Sequence, residues 1–198
     1  MRIVVSEFLT LDGVMQAPGG KDEDTSGGFE HGGWQLDNEY IDDVGGQAIV
    51  ESFESSDGML LGRRTYDIFA AFWPTSDEEP FAGLMNNMKK YVASRTLEEP
   101  LEWQNSELLQ GDTVQAVREL KEKPGRDLVV IGSGDFAQTL IDNDLVDEYR
   151  LMIHPIVVGG GKRLFRDGNP LAKLRLVDSK TSTTGVLFLT YVPGDKDS

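Results

Sequence analysis

Short apolar runs alternate with amphipathic segments along most of this chain of 198 residues. The apolar runs have the length and the flanking turn residues of buried strands. They lie at residues 3–11, 59–61, 91–93, 128–131 and 149–158. Between them apolar residues recur at helical spacing, and the predicted helices cover 37–54, 63–73, 111–123 and 135–142. This alternation favours an α/β fold, with a mainly parallel sheet and helices on both faces.

The last part of the chain departs from this alternation. Two strand-like runs at 174–178 and 186–192 flank a turn at 181–185, which predicts an antiparallel hairpin at the C-terminal edge of the sheet. The run at 186–192 is apolar on both alternating faces, so both sides of this strand need cover, and we expect a sheet edge there. A second copy of the chain would provide the cover in a homodimer, and an intramolecular helix is the alternative.

The charge of the chain narrows the set of partners. With 34 acidic and 19 basic residues, the formal net charge is −15. A chain this acidic is repelled by nucleic acids and by anionic membranes, so we expect neither as a partner. We find no internal repeat, linker or long apolar span, and we predict one cytoplasmic domain over 1–192 with a disordered tail at 193–198.

Cysteine is absent, which excludes disulfides, thiolate catalysis and thiolate metal sites. His31 and His154 are the only imidazole ligands, too few for a typical zinc site, and we predict no metal. We interpret His154, which precedes a proline, as a strand residue rather than as a proton donor.

Three of the predicted strands end in residues suited to phosphate. Gly-Arg-Arg-Thr at 62–65 and Gly-Ser-Gly at 132–134 each lead into a helix, and Ser-Arg-Thr at 94–96 follows a third strand. Free N–H groups at a helix N-terminus beside guanidinium groups bind phosphate well. Ligands of open α/β sheets bind beyond the carboxyl ends of the strands, so we expect the three segments to converge on one ligand. The alternative is a glycine turn with a solvated basic patch.

The segment 132–137 also fits the dinucleotide-binding pattern G-x-G-x-x-G/A. A standard Rossmann site needs an acidic residue about 20 residues later, for the ribose. Residues 152–157 contain no acid, so we keep only the phosphate-binding interpretation. A dinucleotide with an added 2′-phosphate fits a surface that carries Arg63, Arg64 and Arg95. If Arg64 points away from the helix N-terminus into solvent, its replacement is expected to have little effect on binding.

A long glycine-rich loop at 16–34 ends with Phe29, His31 and Trp34. Loops of this length inside a compact domain are usually functional or mobile. Two interpretations are open: a lid over a ligand, with Trp34 in the substrate pocket, or a surface loop with incidental aromatic residues. The pair Gly45-Gly46, inside a predicted helix, indicates close approach of another backbone or a flat ligand, or else a kink.

Five motifs in this order resemble the dihydrofolate-reductase-like superfamily. They are Thr10-Leu11-Asp12-Gly13-Val14, then Leu61-Gly62-Arg63-x-Thr65-Tyr66, then Ser94-Arg95-Thr96, then Ile131-Gly132-Ser133-Gly134, and finally Pro155 followed by Gly159-Gly160-Gly161 and Leu164-Phe165. The chain is most similar to single-domain proteins that resemble the C-terminal reductase domain of bacterial riboflavin-biosynthesis deaminase-reductases. The resemblance covers about residues 2–192.

This resemblance implies a three-layer fold with a mixed sheet, NADPH as cofactor, hydride transfer to a heterocycle and, in many members, a homodimer. It also implies positions for the cofactor. By this resemblance the adenosine-side phosphates would be bound by Gly62, Arg63 and Thr65. The 2′-phosphate would be bound by Ser94 and Arg95, with Thr96 in the same segment. The pyrophosphate would lie along Gly132, Ser133, Gly134 and Phe136. The nicotinamide end would be lined by Val14 and Met15.

One departure from the family concerns the proton donor. Dihydrofolate reductases carry a carboxylate on the helix before the Gly-Arg-x-Thr strand, and the corresponding position here is near Gly46, with no carboxylate. Folate and the riboflavin precursor are therefore both unassigned as substrates. Asp12 is the remaining candidate catalytic acid, and its alternative role is the first residue of an Asp-Gly turn.

The sequence thus predicts an NADPH-dependent reductase of a small heterocyclic (pteridine- or pyrimidine-like) or carbonyl substrate. The alternative is a nucleotide-binding or sensor protein that has the same fold and no catalytic activity.

Overall fold

The apolar run at the start of the chain forms the central strand of one sheet. The computed structural model describes residues 1–36, 40 and 42–194. Within them the strands are β1 (Arg2–Thr10), β2 (Ser56–Gly62), β3 (Lys89–Ala93), β4 (Ser106–Leu108), β5 (Asp127–Val130), β6 (Glu148–His154), β7 (Leu174–Thr181) and β8 (Leu187–Pro193). The helices are α1 (Asp43–Glu54), α2 (Arg63–Phe72), α3 (Phe81–Asn87), α4 (Thr113–Glu122) and α5 (Gly134–Asp142).

The described strands form a sheet in the order β4-β3-β2-β5-β1-β6-β8-β7. Strands β1 to β6 are mutually parallel, and β8 pairs antiparallel with both β6 and β7. The predicted α/β fold with a mainly parallel sheet and an antiparallel C-terminal edge is confirmed.

Helices pack on both faces of the sheet, because alternate strand residues point to opposite sides. Helices α4 and α5 cover the face that carries Val5 and Leu9 of β1. Helices α1, α2 and α3 cover the opposite face, where Phe53, Tyr66 and Met85 pack on the sheet. The result is the three-layer arrangement expected of a sheet with two apolar faces.

The connections that leave the neighbouring strands β1 and β5 run to opposite sides of the sheet. From β1 the chain continues to β2 on one side, whereas from β5 it continues to β6 on the other. Backbone pairing of β1 with β5 covers only residues 2–5 and 127–130, so the two strands separate beyond that point. A crevice between the carboxyl ends of strands at such a switch point is the usual ligand position in open α/β sheets.

Several predicted boundaries differ from the observed ones. The helix predicted at 37–54 begins at Asp43, because the Asp42 carboxylate accepts the Gly45 N–H and caps it there; residues 37–39 and 41 lie outside the described residues. The strand predicted at 149–158 ends at His154. The outermost strand at the C-terminal edge is β7, and β8 lies one position inward.

The predicted tail starts within the hairpin. Pro193 is the last residue of β8, and the Gly194 N–H donates to the Lys173 carbonyl at 2.7 Å. Residues 195–198 lie outside the described residues. No helix in the described part of the chain is long and apolar enough to cross a bilayer. The cytoplasmic location and the domain limits stay predictions.

Candidate active site

The three strand ends predicted to bind phosphate contact one another. The Gly62 N–H donates to Ser133 Oγ at 2.9 Å, and the Ser133 N–H donates to Thr65 Oγ1 at 2.8 Å. From the third segment, Thr96 Oγ1 accepts a hydrogen bond from Arg63 Nη1 at 2.7 Å. The ends of β2, β3 and β5 therefore form one continuous polar surface.

The turn after β5 is close-packed and needs its glycines. Gly132 and Ser133 both have left-handed backbone, with φ of 60° and 55°. A Cβ at Gly132 would lie 3.1 Å from the Thr65 hydroxyl, and one at Gly134 would lie 3.2 Å from Met15 Sδ. Left-handed backbone is uncommon outside glycine, so Ser133 is held by its two hydrogen bonds. Met15 is thereby brought next to the start of α5, and Phe136 in the first turn of α5 is buried.

Helices α2 and α5 both start on this surface without a side-chain cap. The first N–H groups of a helix have no acceptor inside the helix, and they carry the positive end of its dipole. The first turns of α2 and α5 are therefore suited to an anionic group.

The arginines of this surface are engaged to different degrees. Arg63 pairs with Asp67 at 2.6 Å and with Thr96. Arg95 is exposed, and within the described residues it forms no hydrogen bond or ion pair. Ser94 Oγ accepts the N–H groups of Thr96 and Leu97 and so fixes the turn that presents Arg95.

Arg64 is largely exposed and also reaches the loop at 16–34. Its Nη1 donates to Asp24 Oδ1 at 3.1 Å and to Ser26 Oγ at 3.2 Å, although the side chain is still 61% exposed. These contacts attach the loop at 16–34 to the first turn of α2. Asp24 is also paired with Lys162 at 2.6 Å.

The loop at 16–34 is anchored by contacts of its own. The Gln16 side chain donates to the carbonyls of Asp24 and Ser26, and Trp34 Nε1 donates to the Gln16 carbonyl at 2.8 Å. Phe29 and Trp34 are buried in a small apolar cluster with Val14 and Ala17. His31, in contrast, is exposed. These contacts favour a structural role for the loop over that of a freely moving lid.

Trp34 packs edge-on against His154, with ring centroids 5.3 Å apart. His154 is buried, and its Nδ1 lies 3.0 Å from the Met152 carbonyl. Loss of solvation lowers the pKa of this imidazole, which keeps it neutral, as expected for a strand residue. Neither residue borders the cavity of about 330 Å³ between α1 and the sheet; both belong to the packing beneath the loop.

Asp12 holds a turn. Its carboxylate accepts from the Thr10 hydroxyl at 2.6 Å and from the Gly159 N–H at 2.9 Å. These hydrogen bonds, that of Thr10 foremost, lower the pKa of Asp12. A lowered pKa suits an anionic anchor for the loop after β6 and is unfavourable for a proton donor at neutral pH. The geometry therefore favours the turn interpretation of Asp12.

The cavity between α1 and the sheet lies next to the strand ends. Its walls are mainly apolar, and the polar groups come from the strands and from α1. The residues that line it include Ser6, Phe8, Ser52, Phe53, Ile131 and Arg150. Because Ile131 directly precedes Gly132, the cavity adjoins the polar surface at the end of β5.

Gly45 faces β8 rather than a ligand or another backbone. A Cβ at Gly45 would lie 3.1 Å from the ring of Phe188, which also borders the cavity. A Cβ at Gly46 would meet no atom of the described residues within 4 Å. Close packing therefore explains only the first glycine of the pair.

The basic group deep in the cavity wall is already neutralised. Arg150 pairs with Asp127 and Glu148 at 2.7 Å each, and its Nη1 donates to Ser52 Oγ at 2.9 Å. Arg2 contacts the same two carboxylates. Two cations and two anions therefore share one network, and Arg150 offers the cavity little net charge.

Glu7 was missed by the sequence reasoning. It lies on β1 at 2% exposure, and its Oε2 accepts the Gly132 N–H at 3.1 Å. Burial raises the pKa of Glu7 well above its ordinary value. The sequence did carry a signal, since Ser6-Glu7 is a polar pair inside an otherwise apolar strand.

Comparison with known proteins identifies the family of the chain. The family model for the RibD C-terminal domain matches residues 2–188. The chain belongs to this family. The resemblance predicted from the five motifs is therefore confirmed.

A curated relative of this RibD C-terminal domain protein is YyaP of Bacillus subtilis, itself described as uncharacterized. The two are 30% identical over 195 residues, which cover 96% of this chain and 94% of YyaP.

Three solved structures are similar to this RibD C-terminal domain. A putative riboflavin biosynthesis protein from Shewanella sp. PV-4 has a TM-score of 0.72 at 22% identity, with 98% of this chain and 100% of that chain covered. A pyrimidine reductase-like protein from Corynebacterium diphtheriae has a TM-score of 0.63 at 12% identity, with 98% and 92% covered.

The third is the Thermotoga maritima diaminohydroxyphosphoribosylaminopyrimidine deaminase/5-amino-6-(5-phosphoribosylamino)uracil reductase. Its TM-score is 0.63 at 16% identity, and 98% of this chain matches 56% of that longer chain. At these identities the likeness concerns the fold. The RibD C-terminal domain here has the dihydrofolate-reductase-like fold that the sequence predicted.

Proposed function

We propose that this protein is an NADPH-dependent reductase that transfers hydride to a small heterocyclic or carbonyl substrate. The observation that carries the proposal is the junction of two sites. A surface with two uncapped helix starts and the exposed Arg95 adjoins, through Ile131, an apolar cavity of about 330 Å³. Membership of the RibD C-terminal domain family supports an oxidoreductase.

The order of the strands gives the direction in which the cofactor would lie. Along the carboxyl edge the strands follow as β3, β2, β5 and β1. Arg95, with Ser94 and Thr96, would hold the 2′-phosphate beyond β3. The first turns of α2 and α5 would hold the other phosphates, since their N–H groups point outward. The nicotinamide end would then reach the β5–β1 crevice, near Val14 and Met15.

The residues of the chain fit this group. Gly132 and Gly134 let the turn pack closely against Thr65 and Met15, which places the first turns of α2 and α5 side by side for one anionic ligand. When bound, NADPH supplies the hydride. The role of the protein is to orient the ring beside the cavity and to exclude water from it.

The cavity indicates the kind of substrate. Phe8 and Phe53 provide flat apolar walls, and Ser6 and Ser52 provide hydroxyl groups for a few directed hydrogen bonds. Arg150 is neutralised by Asp127 and Glu148, and Lys180, the other basic residue of the lining, pairs with Glu51 at the exposed rim. The wall therefore offers no strong attraction to a phosphate. We therefore favour a small ring system without a phosphate group.

A titration with NADPH, NADH, FMN and ATP, followed by tryptophan fluorescence, tests the cofactor. NADPH is expected to bind most tightly, and tight retention of FMN through purification would overturn the proposal. Oxidation of bound NADPH is then followed by its absorbance, with heterocyclic and carbonyl acceptors added in turn.

A non-catalytic sensor is the second candidate, and one observation favours it. The acids that border the cavity, Glu51 and Asp178, are both exposed at its rim, so no buried acid of the described residues lines it to donate a proton. A sensor would bind NADPH and leave it unoxidised with every acceptor, whereas an enzyme would turn it over with at least one.

We also propose a homodimer, formed along the outer strand β7. Leu176 and Val177 of β7 are 48% and 46% exposed, and the outer edge of this strand has no neighbouring strand among the described residues. Exposed edges with apolar side chains pair readily with another strand. Light scattering at micromolar concentration tests this, and a strictly monomeric mass would contradict it.

A further inference from the structure

Glu7 occupies the point where β1 and β5 separate. The paired stretch ends at Val5 and Val130, and two residues further on the Glu7 side chain spans the widening gap to the Gly132 N–H. A side-chain oxygen thus replaces the backbone partner that a continuing sheet would have supplied. The carboxyl group is buried between β1 and the turn after β5, beside which the nicotinamide end of the proposed cofactor belongs.

One oxygen of this carboxyl group has no partner among the described residues. Oε2 accepts from Gly132, whereas Oε1 is buried and forms no hydrogen bond within that part of the chain. Buried polar atoms are nearly always hydrogen-bonded, so an unpartnered one needs an explanation. Its neighbours at this position are the phosphate-binding turn on one side and the start of the 16–34 loop on the other.

The protonation state of Glu7 follows from its surroundings. Burial raises its pKa well above the ordinary value, and the nearby Glu23 of the loop, also an acid, raises it further. The Gly132 N–H opposes this shift and is outweighed. The raised pKa favours the neutral, protonated form of Glu7. Since Oε2 accepts a hydrogen bond, the proton belongs on Oε1, which makes the unpartnered atom a donor.

We propose that Oε1 of Glu7 donates a hydrogen bond to the carboxamide carbonyl of the nicotinamide ring and so selects the nicotinamide end of the cofactor. This inference rests on the proposed function, because it needs NADPH in the crevice. Glu7 lies on the α5 face of β1, with Val5 and Leu9, whereas Ser6 and Phe8 line the cavity on the opposite face.

The test compares two ligands that differ only at the nicotinamide end. NADPH and 2′-phospho-ADP-ribose, which lacks the nicotinamide ring, are titrated into wild type, Glu7→Gln and Glu7→Leu by calorimetry. Glu7→Leu is expected to weaken NADPH roughly 10- to 100-fold, since one buried hydrogen bond is lost and a carbonyl is left unpaired. Glu7→Leu also removes the acceptor of the Gly132 N–H, so 2′-phospho-ADP-ribose is expected to lose some affinity, but clearly less than NADPH.

Glu7→Gln should retain NADPH, because the amide oxygen can accept from Gly132 and the amide N–H can donate to the carboxamide. Equal loss of both ligands in Glu7→Leu would show that Glu7 only shapes the Gly132 turn, and would overturn the inference. So would a Gln variant as weak as the Leu variant, or no loss in either.

A measurement on the wild-type protein covers the case in which Glu7→Leu fails to fold. The 3-acetylpyridine analogue of NADPH keeps the carbonyl and lacks the amide N–H₂ group, so it should bind nearly as tightly as NADPH. A large loss of affinity would mean that the N–H₂ group is recognised, against the inference. If wild type binds 2′-phospho-ADP-ribose but shows no gain from the ring, only the inference fails; if it binds neither ligand, the proposed function fails as well.

Discussion

Helices α1 and α4 begin differently from helices α2 and α5. At the first pair an aspartate caps the helix: Asp42 accepts the Gly45 N–H at 2.8 Å, and Asp112 accepts the Gln115 N–H at 2.9 Å. At the second pair the residue before the helix is Gly62 or the left-handed Ser133, and neither supplies a side-chain cap. A cap stabilises a helix by about 1 kcal/mol.

The difference shows which helices lack the stabilisation that a capping side chain provides. Helices α2 and α5 start where three strand ends meet, and their first N–H groups lie at that edge of the sheet. Helix α3, which follows Pro80, also lacks a side-chain cap, so a missing cap is informative only together with this convergence. At α1 and α4 the same groups are satisfied by the chain itself. Missing caps at a point of convergence therefore mark a binding surface more specifically than a glycine motif does.

The largest expected effect comes from capping α2 artificially. Gly62 has ordinary extended backbone, and a Cβ there would lie 3.4 Å from the nearest side chain, so Gly62→Asp is tolerated. The new carboxylate should stabilise the fold by roughly a few tenths of a kcal/mol, because glycine is already a good N-cap residue. It should weaken NADPH roughly 1000-fold, since two like charges about 4 Å apart cost about 4 kcal/mol near a protein surface. Melting temperature and calorimetric titration measure the two effects, with Gly62→Ala as the uncharged control. If the folded Gly62→Asp variant bound NADPH as tightly as wild type, the phosphate would not lie at the start of α2.

The second prediction concerns Arg95. If it holds the 2′-phosphate, Arg95→Ala should weaken NADPH roughly 10- to 150-fold and leave NADH almost unchanged, since a hydrogen bond to a charged partner contributes about 1.5–3 kcal/mol. Titration with both cofactors provides the comparison, and added salt should weaken NADPH more than NADH.

Two matched variants accompany Arg95→Ala. Arg63→Ala is expected to weaken both cofactors, because Arg63 stands at the helix start beside the shared phosphates. Arg64→Ala should weaken neither, because Arg64 is engaged with Asp24 and Ser26. Equal losses of NADPH and NADH in Arg95→Ala would mean that this residue supports the fold.

The third prediction uses pH to probe the crevice. Glu7 has a raised pKa in the folded protein, so the folded state binds its proton more tightly than the unfolded chain does. Stability should therefore fall as pH rises from the ordinary carboxyl pKa to the raised one. Glu7→Gln removes this loss, so its melting temperature should exceed that of wild type at pH 8 more than at pH 4.

Differential scanning calorimetry of the two proteins across this range makes the measurement, and the many other acids cancel in the difference. A constant difference at all pH values would mean that Glu7 titrates normally.

The smallest expected effect on NADPH affinity comes from the opposite change, the removal of a helix cap away from the candidate site. Asp112→Ala removes the cap of α4 and should cost about 1 kcal/mol of unfolding free energy, measured by urea denaturation. NADPH affinity should not change, because α4 does not start at the candidate site. A marked loss of NADPH affinity would show that the two classes of helix start are not functionally distinct.

The sequence by itself determined the class of fold and the strand-end segments that we propose bind phosphate. Period-two and helical patterns are local, so β1, α4 and the closing hairpin follow from neighbouring residues alone. Likewise Gly132-Ser133-Gly134 and the arginines after β2 and β3 are recognisable because parallel strands bring their ends to one edge. The family resemblance rested on the order of these same motifs.

Tertiary structure alone decided what each polar side chain meets. Asp12 is disfavoured as a proton donor because the N–H of Gly159, far along the chain, donates a hydrogen bond to its carboxylate. Trp34 packs within the loop instead of lining the cavity, and the largely exposed Arg64 also binds Asp24. The significance of Glu7 depends on the separation of β1 from β5, which no local pattern encodes. Burial and hydrogen-bond partners depend on residues far apart in the chain. They set the pKa and the hydrogen-bonding role of a side chain, whereas the sequence gives only its type.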